Sequence, residues 1–176
     1  MKNRNVRMLA EAGIMLALAQ LLSYVKLWQM PAGGSVTLAS MLPVILFSIR
    51  WGVGRGIVVG IVYGILQFVL DTKYSLHIVS LLFDYFVAFG FLGFSGLFRK
   101  NLRGIVAGTF LGIFGRFVCS VISGYVVFAE WAPEGQHPLV YSIVYQGTYL
   151  FPEFLIIAVI LFLLYKKAPK LVENQL

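Results

Sequence analysis

Charge is scarce in this chain: Asp, Glu, Lys and Arg together make up 12% of its 176 residues, against 60% hydrophobic. Soluble domains carry about 25% charged and about half apolar residues, so a soluble fold is excluded as the economical reading. Cysteine occurs once, at Cys119, which rules out an internal disulfide and a CxxC metal site. Histidine occurs twice, at His77 and His137, without HExxH context or a carboxylate at ligand spacing. No nucleophile elbow is present and no GxxxxGK[ST] loop, so neither a catalytic set nor ATP hydrolysis by this chain is indicated. No metal and no cofactor are expected. Acidic residues number seven against fourteen basic ones, a net charge of +7. The basic residues stand in short clusters between apolar runs, which is the positive-inside pattern of membrane proteins and not a nucleic-acid footprint.

What is present is apolar sequence, with a mean hydropathy of +0.88. Runs at 9–25, 36–50, 53–70, 76–98, 104–129 and 139–165 predict six transmembrane helices in a single domain, residues 1–176. The second run is short, and a tilted or partly embedded helix suits it. The first eight residues resemble a signal n-region, but no clear cleavage site follows, so the first run reads as a retained helix. With six spans, Lys2, Arg4, Arg7, Arg50, Arg55, Arg99, Lys100, Arg103, Lys166, Lys167 and Lys170 all fall on one side, which places both termini in the cytoplasm. The expected fold class is an all-α, multi-pass bundle in the plasma membrane.

Glycine is plentiful and ordered. Gly52, Gly56, Gly60 and Gly64 line one face of the third run, and Gly104, Gly108 and Gly112 one face of the fifth. Such stripes let neighbouring helix backbones approach closely, and packing within the bundle is the expected use. In the first run Gly13 and Ala17 form a small-xxx-small pair that suits either internal packing or a partner membrane protein. Pro31, Gly33 and Gly34 interrupt the segment between runs one and two, where Trp28 is either an interfacial anchor or part of a lid.

Residues 116–153 organise the rest: two apolar runs flank a polar turn, and polar groups recur inside both. Polar and ionisable residues within a bilayer are costly unless they face a cavity or a partner. From the helix ends, Asp84 lies about 12 Å deep, Ser120 about 13 Å and Gln146 about 10 Å. Groups at a common depth predict a shared cavity in the outer leaflet. Ser120, Gly124 and Phe128 repeat every four residues on one face, and Tyr85, Tyr141 and Tyr145 add rings nearby. A carboxylate among aromatics and amides suits a cationic aromatic ligand, although an ion pair within the bundle would also explain Asp84. Arg116 and Glu153 lie deeper, about 20 Å from their outer helix ends. Equal depth on consecutive helices predicts a buried structural ion pair at the pocket floor.

At the level of residues three functions stay open. They are a substrate-capture subunit, a stand-alone ion-coupled exporter using Asp84 or Glu153, and, disfavoured by the missing catalytic set, an intramembrane enzyme.

The segments GGSVTL…P…SIRWG (33–52), LLFDYFVAFGFLGFSGLF (81–98), RFVCSVISGYVVFAEWAPEG (116–135) and YSIVYQGTYLFPE (141–153) resemble the thiamine-specific S-components of energy-coupling factor (ECF) transporters. The resemblance runs over nearly the whole chain. It implies a non-enzymatic, prokaryotic plasma-membrane subunit that binds a vitamin and docks on a transmembrane coupling protein carrying two ATPase subunits. It also implies a ligand site at Tyr74, Asp84, Tyr85, Gly124, Phe128, Tyr141 and Gln146, with Gly13 and Ala17 facing the coupling protein. Ser120 stands where the family usually has His, Gln146 where it has Asn, and Phe128 where some members have Trp. These departures fall in the pocket and bear on the choice between thiamine and a related heterocycle or precursor.

Overall fold

The computed structural model describes residues 2–31, 33–71, 75–99 and 101–172, with Lys2 as backbone alone. Tyr74 therefore lies outside the described residues. Helix α1 spans Lys2–Ser23, strands β1 and β2 span Lys26–Gln29 and Ser35–Thr37, and α2 spans Leu42–Trp51. Then come α3 at Val53–Leu70, α4 at Ile78–Gly96, α5 at Leu102–Val127 and α6 at Pro138–Lys167. Five of these, all but α2, are long and apolar enough to cross a membrane. Large apolar side chains such as Ile14, Val58, Phe151 and Val159 stand exposed on the outer helix faces, as hydrocarbon contact allows.

The run 36–50 departs from its expected form. Its first residues pair as β2 with β1 in an antiparallel hairpin, and only Leu42–Trp51 is helical. Ala39, at φ 58, makes the turn between them. All ten residues of α2 are buried, so this helix of about 15 Å is surrounded by protein on every side. Apolarity alone cannot tell a buried strand end from a helix. Gly52 also leaves its expected stripe: at φ 89 it forms the turn joining α2 to α3, and its N–H donates to the Ser48 carbonyl at 2.8 Å.

The remaining glycines do what their spacing suggests. A Cβ on Gly60 or Gly64 would strike the Phe89 or Tyr85 carbonyl of α4, and one on Gly108 or Gly112 would strike Ser95. Helix α4 is thus clasped by glycine faces of α3 and α5. Its backbone is not uniform: Leu81–Val87 is π-helical and Leu92–Gly96 is 3-10. A π segment re-aims side chains, and such segments concentrate at functional sites; this one carries Asp84 and Tyr85.

At the end of the bundle remote from the hairpin, Arg50 pairs with Glu11 of α1 and donates to the Lys170 and Leu171 carbonyls at 2.8 and 3.0 Å. This ties α1, α2 and the C-terminal segment together. On the opposite face of α1 from the bundle, Gly13 and Ala17 are exposed, whereas Ala12 and Ala19 are buried in the core.

Candidate functional site: a polar cavity under the hairpin

A cavity of about 150 Å³ lies between the hairpin and helices α3 to α6. It gathers Asp84, Tyr85, Ser120, Gly124, Phe128, Tyr141, Tyr145 and Gln146, together with Arg116 and Glu153. The charged lining of described residues is three acids, Asp71, Asp84 and Glu153, against two bases, Lys26 and Arg116.

Asp84 is placed by its helix and by its neighbour. Ser80, one turn earlier, donates to Oδ2 at 2.7 Å, and Ser123 of α5 donates to the same oxygen at 2.5 Å. Two hydroxyls on one oxygen orient the carboxylate at the cavity wall. Tyr85 packs edge-on against Phe68 at 5.3 Å between centroids. On α6, Tyr141, Tyr145 and Tyr149 follow at intervals of four, with centroids 5.7 and 6.5 Å apart. Phe128 caps the end of α5 and meets Trp131 edge-on. Gly124 makes room between α5 and α6, since a Cβ there would press on Ser142 and Gln146.

Gln146 is held at both ends of its amide. Its Nε2 donates to the Ser120 carbonyl at 3.2 Å, and its Oε1 accepts from the Tyr149 hydroxyl. The Gln146 side chain thus ties α6 to the backbone of α5.

The expected ion pair between Arg116 and Glu153 is not formed. Among the described residues the ion pairs are Lys26–Asp71 and Arg50–Glu11. Glu153 instead accepts from the Thr37 N–H and the Thr37 hydroxyl, both at 2.6 Å. The Thr37 hydroxyl has one hydrogen, which goes to the carboxylate, so Ser40 Oγ, at 2.8 Å, donates to Thr37. Arg116 lies with its guanidinium 4.0 Å from the centre of the Phe89 ring, in cation–π contact. Equal depth brought the two side chains to one cavity, but depth says nothing of the direction each faces around its helix.

Trp28 is a second correction. It is 67% exposed and outside the lining. A bulge between Lys26 and Trp28 breaks the strand alternation, and Lys26 and Gln29 face the cavity in its place. The hairpin still roofs the site. Tyr145 donates its hydroxyl to the Gly33 carbonyl at 2.9 Å, and Gly34, at φ 82, lies so close to Tyr149 that a Cβ would meet the ring at 2.6 Å.

Sequence reasoning missed Thr37, Ser40, Tyr63, Tyr149 and the Lys26–Asp71 pair among the lining groups, and Ser123, which bonds Asp84 from α5. Tyr149 extends the Tyr141–Tyr145 spacing by one turn and was there to be read. Thr37 lies 116 residues from Glu153 and carried no local signal.

A helical bundle with a roofed, polar and aromatic cavity toward one end defines a membrane protein that binds a small polar or cationic molecule. The family model described as Thiamine transporter protein (Thia_YuaJ) matches residues 9–173. The chain is 37% identical to the thiamine transporter ThiT of Bacillus subtilis (strain 168) over 182 residues, covering 95% of this chain and 94% of that one. It is 28% identical to the thiamine transporter ThiT of Lacticaseibacillus paracasei over 61% of each. The solved structure of ThiT from Listeria monocytogenes superposes with a TM-score of 0.83 at 26% identity, covering 96% of this chain and 98% of that chain. The protein belongs to the thiamine transporter protein family.

Proposed function

We propose that this chain is the membrane-embedded, thiamine-binding subunit of an ECF-type importer, a transport protein and not an enzyme, in the plasma membrane of a bacterium. One observation carries the ligand reading. The Asp84 carboxylate is held by Ser80 and Ser123 at the wall of a cavity that tyrosines also line. Thiamine is a flat aromatic cation, and charge pairing with stacking is the recognition such a wall supports. Asp84, Tyr85, Ser120, Gly124, Phe128, Tyr141, Tyr145 and Gln146 are proposed as its contacts. The stand-alone exporter reading loses one of its two coupling carboxylates, because Glu153 is committed to Thr37.

Isothermal titration of the purified chain with thiamine and with its hydroxymethyl-pyrimidine precursor tests the assignment. Thiamine is expected to bind at least about tenfold more tightly than the neutral precursor. Absence of thiamine binding, with tight binding of the precursor, would sink it.

The roofed cavity is proposed to open outward, with both termini in the cytoplasm. A cysteine replacing Glu134 is expected to react with an impermeant thiol reagent on intact cells, and cysteines replacing Lys2 or Lys170 to stay unlabelled. Native Cys119 is buried and adds little background. Labelling of either terminus from outside would overturn this orientation. Uptake is proposed to need a transmembrane coupling protein and two ATPase subunits, with the exposed Gly13–Ala17 face of α1 as the docking surface.

A further inference from the structure

Arg116 extends the stripe of Ser120, Gly124 and Phe128 by one turn toward the cavity floor, so all four share a face of α5. The two carboxylates nearest to it in the bundle are engaged elsewhere, Asp84 by Ser80 and Ser123 and Glu153 by Thr37. The Arg116 guanidinium lies 4.0 Å from the centre of the Phe89 ring. Phe89 is buried and meets Tyr63 edge-on at 5.0 Å between centroids, so the platform under the guanidinium is fixed. Cation–π contact engages the charge and takes none of the five N–H groups. Among the described residues no acceptor meets those groups, and Nε is buried without a partner. A buried donor without an acceptor is costly, and this one stands at the wall of a cavity.

We infer that Arg116 is a donor subsite at the cavity floor that reads an uncharged hydrogen-bond acceptor of the ligand, an inference that rests on the thiamine reading above. The surrounding charge decides which kind of acceptor fits. Within the helices, the charged lining of described residues is two acids, Asp84 and Glu153, against Arg116. An anionic substituent reaching the floor would meet both carboxylates, and juxtaposed like charges are strongly disfavoured. A neutral oxygen or ring nitrogen meets no such opposition and supplies the acceptor that the guanidinium lacks. Thiamine carries both kinds, in the nitrogens of its pyrimidine ring and the oxygen of its hydroxyethyl arm. Asp84 then takes the charge of the ligand and Arg116 an acceptor, so an aromatic cation without an acceptor fills only part of the site.

The test titrates the purified full chain with thiamine and three analogues: each pyrimidine nitrogen replaced in turn by CH, and the hydroxyethyl arm replaced by ethyl. In the native chain at least one analogue is expected to bind about tenfold or more weakly than thiamine. In Arg116→Met, which keeps an apolar stem on Phe89, thiamine is expected to weaken by a similar factor. The analogue lacking the acceptor that Arg116 reads is expected to change by less than about twofold, and so names that acceptor. Arg116→Lys keeps the charge and serves the same comparison where the methionine variant does not fold, with about threefold or more in place of tenfold. A cation that merely neighbours the site repels a cationic ligand, so thiamine affinity unchanged or raised in Arg116→Met overturns the inference. Equal losses for thiamine and all three analogues overturn it as well, because a loosened bundle does not distinguish them. Equal affinity of the native chain for all four ligands overturns it without any variant. Failure of the native chain to bind thiamine at all overturns the underlying ligand reading instead.

Discussion

Asp84→Asn is expected to weaken thiamine binding by about 10²-fold or more while leaving the fold intact. The substitution keeps the size of the side chain and an oxygen that accepts from Ser80 and Ser123, which bond the carboxylate at 2.7 and 2.5 Å. What it removes is charge. Truncating one partner of a desolvated charge pair costs about 2–5 kcal/mol, and the low end of that range already corresponds to more than a tenfold loss of affinity. The neutral hydroxymethyl-pyrimidine has no charge to lose, so its binding is expected to change by less than about threefold. Titration of both ligands against both proteins gives the answer. Equal losses for the two would assign Asp84 to the packing of α4 and α5 rather than to the ligand. The magnitude depends on the clamp: with both serines on Oδ2, the carboxylate is oriented before the ligand arrives, and little ordering is left for binding to supply.

The helices were legible because a bilayer imposes one length on every crossing. Runs predicted at 76–98, 104–129 and 139–165 became Ile78–Gly96, Leu102–Val127 and Pro138–Lys167, and their polar residues marked the cavity. Two things lay beyond that logic. The first is the half-helix α2, whose run includes a strand; being buried on all sides, it shows no amphipathic period to read. The second is azimuth. Arg116 and Glu153 lie at similar depth, but contacts made by Phe89 and by Thr37, far away in sequence, decide which way each faces. The hairpin illustrates the same limit: a bulge at Lys26–Trp28 exchanges the large aromatic expected at the site for Lys26 and Gln29. The π-helical turn around Asp84 packs against Gly64 of α3, where a Cβ would strike the Tyr85 carbonyl, a contact no single segment discloses.

Replacing Gly13 or Ala17 with Trp is expected to abolish uptake while leaving thiamine affinity of the isolated subunit within about threefold of native. The sequence left this pair between internal packing and a partner, and the positions of its neighbours decide against the first. Ala12 and Ala19 enter the core, together with Met8, Met15 and Leu16 at its margin. Gly13 and Ala17 are exposed, and a Cβ built on Gly13 meets nothing within 4 Å. A large side chain there therefore disturbs no contact of this chain. It would hold any docked helix away, and close approach of backbones over small residues is what makes such membrane contacts favourable. The Arg50–Glu11 pair, with Arg50 also bonded to the Lys170 and Leu171 carbonyls, keeps α1 seated on the bundle, so the bulk cannot be absorbed by tilting α1 inward. Uptake of labelled thiamine by cells holding the coupling protein and both ATPases, set beside titration of the purified variants, separates the two functions. Uptake at native rates in both Trp variants would remove this face from the docking surface. Loss of affinity in the isolated subunit would show instead that α1 communicates with the cavity, which it reaches through the Tyr63–Ala19 and Gln67–Gln20 hydrogen bonds at 3.2 and 2.9 Å.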